Sequence, residues 1–360
     1  MALVILLIVL AKANLFLNYF IESLKPTAIS FENELKKLNL AIKKSVLSII
    51  PVNKSTIFDF YSTLYYYIMK RLIWLFLLIG SFDSYAQKGT IKESLKIKSS
   101  TLGKDVEYSI YLPADYDKTN RQYPVLYLLH GYTDDETGWT QFGQTPEIAD
   151  RTINSGEAPP MIIVMPDAGV TWYMNTFDGK TKFEDFFIKE FIPYIESNYR
   201  IRAKKEFRAV AGLSMGGLGT LLYATKHPDM FVAAAPLSAA IWTDEEVVTQ
   251  NADINRWNTV FGDLYGKDLK GKERLTEHYF KNAPIKIVET VNAEDLKKVK
   301  FYIDCGDDDF LIKGNMALHT MMIDKKIPHE FRVRDGGHTW SYWRTALPEV
   351  LKFVGESFHR

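Results

Sequence analysis

Two hydrophobic patterns alternate along the chain from residue 106 onward. Residues 106–112 alternate apolar and polar positions, as a half-buried edge strand does. Residues 125–129, 161–165, 208–211, 231–235 and 300–303 are instead short apolar runs without alternation, which suit strands buried on both faces of a parallel sheet. Between these runs the spacing changes. Phe183, Phe186, Phe187, Phe191, Tyr194 and Ile195 recur every three or four positions, which predicts a helix. Residues 218–226, 316–324 and 346–358 carry similar helical patterns, and 330–334 reads as one more strand. Strand–helix alternation of this kind predicts an α/β fold, with helices on both faces of a mainly parallel sheet. Residues 241–291 are long, polar and rich in helix formers. They read as a helical insertion over the C-terminal edge of the sheet, near the active site.

The N-terminal part departs from this pattern. Met69-Lys70-Arg71 leads into the apolar run 72–80, and Ser84-Tyr85-Ala86 closes it. A basic start, a short apolar core and a small-x-small exit make residues 69–86 a secretory signal. The run is too short to span a bilayer, which needs about 20 apolar residues. Residues 1–68 then read as an upstream extension or linker, and 87–360 as a single catalytic domain, secreted or periplasmic. No stable membrane partner is expected once the signal is removed.

Composition narrows the function. Lys plus Arg and Asp plus Glu both number 44 in 360 residues. The leader holds more base than acid, so the mature part is mildly acidic. A nucleic-acid partner is therefore not expected. One cysteine excludes an intramolecular disulfide framework and multi-cysteine zinc modules.

Gly212-Leu213-Ser214-Met215-Gly216 carries most of the chemistry. It follows a strand candidate and precedes a helix candidate, the setting of a nucleophile elbow. Small residues flank the serine where strand and helix approach closely, and the N–H of Met215 opens the helix as an oxyanion donor. A serine needs a base, and His338 is the choice. It follows Gly336-Gly337 on a loop just past a strand end. The acid belongs to Asp307, Asp308 or Asp309 at the end of the strand candidate near 301–304. Asp304 lies inside that strand and is the weakest candidate. The second oxyanion donor is assigned to the N–H of Tyr132, after Leu129-His130-Gly131. His130 reads as a hydrogen-bonding brace.

The segments LYLLHGY, MPDAG, AGLSMGG, CGDDDF and GGHTW together resemble the esterase-D-like α/β-hydrolases, most of all carbohydrate esterase family 1, the feruloyl and acetylxylan esterases. The resemblance runs from about 106 to 354 and implies an α/β-hydrolase fold. By motif it implies Ser214 as nucleophile, His338 as general base, and Tyr132 and Met215 as oxyanion donors. The family carboxylate falls three residues after the glycine, at Asp309, with Asp308 as its rival. The implied reaction is attack of serine on an ester carbonyl, an acyl-enzyme and hydrolysis, with neither metal nor organic cofactor.

Substrate choice is expected from aromatics near the catalytic loops: Trp139, Trp172, Tyr173, Trp340 and Trp343, joined by Trp242 and Trp257 of the insertion. Such rings stack on sugars and on hydroxycinnamoyl groups. The expected partner is an acylated oligo- or polysaccharide, xylan bearing feruloyl or acetyl esters. The alternatives are an S-formylglutathione-hydrolase-like thioesterase and a general short-chain carboxylesterase. From another class come an acyltransferase and a non-catalytic hydrolase-fold binding protein.

Overall fold

The computed structural model describes residues 88–249 and 253–358, together with Lys70. The extension 1–68 and the signal 69–86 lie outside the described residues, Lys70 apart. The described residues from 88 onward belong to one compact unit.

Eight strands form one sheet: β1 Thr90–Lys98, β2 Asp105–Leu112, β3 Val125–Leu129, β4 Ile162–Pro166, β5 Arg208–Leu213, β6 Ala233–Leu237, β7 Lys300–Gly306 and β8 His329–Arg334. Their spatial order is β1-β2-β4-β3-β5-β6-β7-β8. β1, β2 and β4 pair antiparallel, and β4, β3, β5, β6, β7 and β8 pair parallel. β3, β4, β5 and β6 are buried at every position, which is why their sequences do not alternate.

One expectation is corrected. Residues 106–112 form an interior strand, because β1 covers them. β1 is hard to read from sequence for a physical reason. Its register shifts between Lys92 and Leu95, where Ser94 has φ 51°, so an extra residue interrupts the ladder. Lys92, Lys96 and Lys98 then keep the true edge charged, which discourages pairing with another chain.

Successive residues of each strand feed two cores. Val125, Tyr127 and Leu129 face one side, with Leu218 and Leu221 of the helix Met215–Lys226, the aromatics of 183–198, and Leu318 and Met322 of the helix Ile312–Asp324. Leu126 and Leu128 face the other, with Ile148 of the helix Thr145–Asn154 and Leu347 and Val350 of the helix Trp340–Ser357. This three-layer arrangement is an α/β-hydrolase fold. The last helix begins six positions before the expected 346, because the Thr339 hydroxyl caps it by accepting from the Tyr342 N–H. That early start brings Trp340 and Trp343 onto the helix's first turn.

Between β6 and β7 lie short helices, among them Asp244–Thr249, Ile254–Val260, Glu277–Asn282 and Pro284–Thr290. Trp257 anchors them. Its Nε1 donates to the Gly266 carbonyl at 2.9 Å, and the Arg274 guanidinium lies 4.2 Å over its ring. Trp257 is therefore buried in the core of this segment, away from solvent.

Candidate active site

The loops that matter leave the C-terminal ends of β3, β5, β7 and β8, where ligands bind in open parallel sheets. The turn after β5 is built by close approach. A Cβ on Gly212 would lie 2.6 Å from the Gly216 carbonyl oxygen. One on Gly216 would lie 2.4 Å from the Leu129 carbonyl oxygen and 2.6 Å from that of His130. Only glycine fits either place. Between them Ser214 takes φ 53° and ψ −116°, a strained conformation for an L residue. Three hydrogen bonds hold it. The Ser214 N–H donates to Leu237 at 2.9 Å, and its carbonyl accepts from Ala240 at 2.9 Å and Leu218 at 3.0 Å.

Met215 is the first residue of the following helix, so its N–H is one of the donors that no intrahelical carbonyl satisfies. The N–H of Tyr132 is likewise bonded to no backbone carbonyl among the described residues. Its loop lies close to the serine, since a Cβ on Gly131 would come 3.7 Å from Ser214 Cβ. His130 holds that loop. The Ala168 N–H donates to its Nε2 at 2.9 Å, which leaves the proton on Nδ1 to be donated to the Gly131 carbonyl at 2.8 Å. Burial lowers its pKa, so the ring stays neutral. Both nitrogens are occupied, as a brace requires.

Ser214, His338 and Asp309 come together in one chain of hydrogen bonds. His338 Nε2 lies 2.9 Å from Ser214 Oγ, and Nδ1 lies 2.8 Å from Asp309 Oδ2. A neutral imidazole with its proton on Nδ1 donates to the carboxylate and accepts from the serine. Its ring meets Trp343 edge-on at 4.9 Å and leans on Phe310 at 4.7 Å.

The four candidate carboxylates have four different surroundings. Asp309 is buried, and its Oδ1 accepts from the Leu311 N–H at 2.9 Å. Burial pushes its pKa up. Hydrogen bonds and charge from His338, with donors from Leu311 and Ser238, outweigh burial and hold it below the usual carboxylate range. Asp308 is exposed. Asp307, also exposed, accepts from the Gly336 N–H at 3.0 Å and so braces the histidine loop. Asp304 is buried in β7, where it accepts from Tyr302, Tyr342 and Arg334. The exposed carboxylates of Asp307, Asp308 and Asp335 lie within 4.8 Å of one another, the one group of three possible metal ligands found among the described residues.

A cleft of about 480 Å³ opens onto Ser214 and His338. Two aromatic clusters wall it. Trp172 contacts Tyr132, Trp242 and Phe261, at 5.4, 5.7 and 5.5 Å between ring centres. Phe310, Trp343 and Trp340 gather around the histidine. Asp134 and Arg256 also line the cleft.

Of the five aromatics expected to bind substrate, Trp172, Trp340 and Trp343 line this cleft. Trp139 and Tyr173 do not. Trp139 is fully buried, donates from Nε1 to the Leu129 carbonyl at 2.9 Å and packs beneath Trp340. Tyr173 is fully buried and donates its hydroxyl to the His130 carbonyl at 3.2 Å. Each supports a loop from below. Phe310, Phe261 and Arg256 escaped the sequence reading. Phe310 could have been found from its place beside Asp309. Phe261 and Arg256 reach the cleft only through the β6–β7 connection.

The Esterase family model matches residues 99–354. An esterase of Mycobacterium tuberculosis is 30% identical over 260 residues, covering 68% of this chain and 55% of that relative. The chain thus spans about half the length of that curated relative. An endo-1,4-beta-xylanase/feruloyl esterase of Xylanibacter ruminicola is 35% identical over 176 residues, covering 46% of this chain and 24% of the relative. Among solved structures, a ferulic acid esterase superposes with a TM-score of 0.66 at 35% identity, covering 76% of this chain and 99% of the other.

Proposed function

The chain belongs to the Esterase family, and on that premise we propose that it is a serine ester hydrolase that removes feruloyl or acetyl groups from xylan. The observation that carries the reading is the hydrogen-bonded series Ser214, His338, Asp309 at the mouth of an aromatic-walled cleft. His338 takes the Ser214 proton as Oγ attacks the ester carbonyl. The developing oxyanion is met by the N–H groups of Met215 and Tyr132. Collapse of the tetrahedral intermediate expels the sugar hydroxyl, protonated by His338, and leaves an acyl-serine. Water, deprotonated by the same imidazole, then releases the acid and restores Ser214. Asp309 keeps the imidazole in the right tautomer and stabilises its charged form.

Feruloyl and acetyl specificity is supported by similarity to the feruloyl esterases above and by the aromatic walls, which offer ring faces to a hydroxycinnamoyl group or a sugar. Export to the periplasm or the medium, where xylan is met, rests on the signal pattern at 69–86.

A matched substrate panel tests the proposal: methyl ferulate, acetylated xylan, p-nitrophenyl acetate and S-formylglutathione. Turnover of methyl ferulate or acetylated xylan well above that of S-formylglutathione is expected, with p-nitrophenyl acetate, an activated acetyl ester, as the control for a working serine. Selective turnover of S-formylglutathione would overturn the substrate class. Acyl transfer to an added glycan in place of hydrolysis would overturn the reaction.

A further inference from the structure

Ser238 is the first residue after β6. It is fully buried and has φ 44°, a region that disfavours any residue with a Cβ. A glycine would relieve that strain. A strained serine held in a core invites the question of what its hydroxyl does.

Three contacts answer it. The Ser238 N–H donates to the Asp304 carbonyl at 2.7 Å, which fixes the residue to the end of β7 just before the acidic turn. Its Oγ accepts from Trp343 Nε1 at 3.1 Å, inside the protein. That same Trp343 presses edge-on against the ring of His338 at 4.9 Å and 89°. With the indole N–H on one lone pair, the hydroxyl proton is free to be given elsewhere. The acceptors beside it are the Asp309 carboxylate and the Cys305 thiol. An ionised carboxylate is much the stronger acceptor.

We propose that Ser238 is a positioning residue, whose hydroxyl orients Asp309 and, through Trp343, seats the imidazole of His338. This rests on the Ser214–His338–Asp309 reading above. A polarised chain runs from the indole N–H through the serine hydroxyl to the carboxylate, and each bond strengthens the next. It spreads the charge of Asp309 over one more donor besides His338 and the Leu311 N–H.

The test uses two variants, Ser238→Ala and Ser238→Gly. The second removes the hydroxyl while easing the backbone, so it keeps the test open if the alanine variant fails to fold. In either folded variant kcat/KM on a soluble ester should fall about tenfold, mainly in kcat, as for loss of a hydrogen bond to a charged group. With one donor fewer, the Asp309 charge is less dispersed and holds a protonated imidazole more firmly. The acid limb of kcat/KM should therefore move to higher pH, and the downfield proton signal of the His338–Asp309 hydrogen bond should shift. A folded Ser238→Gly enzyme with kcat/KM within twofold of wild type overturns the proposal. So does a fall in activity with an unmoved limb, which is what lost packing alone would produce. Esterase activity retained by Ser214→Ala would instead overturn the underlying reading.

Discussion

Asp309 lies buried beneath His338 with Oδ2 2.8 Å from Nδ1, while the carboxylates of its neighbours Asp307 and Asp308 face solvent. Three consecutive acids thus have separate tasks. One meets the imidazole, one braces the loop through the Gly336 N–H, and one is solvated.

Asp309→Asn should lower kcat by about 10⁴-fold, since an amide favours the wrong tautomer and does not stabilise imidazolium. Asp308→Asn should stay close to wild type. Whatever activity survives in Asp309→Asn should show its acid limb at lower pH, because the charge favouring a protonated ring is gone. Profiles of kcat/KM against pH for the three enzymes check this, and a crippled Asp308→Asn beside an active Asp309→Asn would refute the assignment.

Ser214→Ala should fold normally and lose activity by roughly 10⁴-fold or more, since the three groups act as a unit. Phenylmethylsulfonyl fluoride should modify Ser214 alone. Iodoacetamide should leave the native enzyme active, because Cys305 is fully buried and burial pushes its thiol pKa up. Peptide mass mapping and residual activity after each reagent read the two outcomes.

Gly216→Ala should be harmful in two ways. Its methyl group would meet two backbone oxygens at 2.4 and 2.6 Å, and neither can swing aside as a side chain does. Overpacking of this kind costs about 1–3 kcal/mol, which is several degrees in Tm for a domain of this size. Any shift of the helix start also moves the Met215 N–H, so kcat should fall further than Tm alone would explain. Thermal unfolding and kcat on the same preparation separate the two.

Glu190 clamps the turn between β1 and β2 onto the 183–198 helical run by accepting from the hydroxyls of Ser99, Ser100 and Thr101 and from the Thr101 N–H. Burial pushes its pKa up, but these donors prevail and hold it at about 2. An unfolded glutamate titrates at about 4.3. The depressed value means that the clamp stabilises the fold fully above that pH and is lost as pH falls toward about 2. Glu190→Gln should therefore destabilise the protein more at pH 6 than at pH 3. Urea titrations at the two pH values test it, and an equal difference at both would count against the clamp.

Much of this architecture is legible in the sequence because it rests on local signals. β3 begins and ends where its apolar run does, since a strand buried on both faces writes its burial into consecutive residues. The elbow is legible because two glycines are forced by backbone contact within five positions. Ring direction has no such signature. Trp139, in the short helix Gly138–Gln141, and Trp172 and Tyr173, on the loop after β4, all sit near the cleft, yet only Trp172 turns its ring into it. Ser238 is invisible in the sequence for a related reason. Its φ and its indole partner, 105 positions away, exist only once β6 and the last helix are side by side. β1 is not legible because a bulge and three lysines disguise its period.

The two aromatic clusters of the cleft come from different parts of the chain. Phe310, Trp340 and Trp343 ride on the segments that also carry Asp309 and His338. Trp242, Arg256 and Phe261 come from the β6–β7 connection, and Trp172 from the loop after β4, none of which holds the acid or the base. Selection can therefore act on the two separately. Changes at 242, 256 and 261 alter what is gripped while leaving the proton-transfer apparatus intact, so the enzyme's diet can diversify faster than its chemistry. A library confined to those three positions explores new esters with the acid and the base unaltered.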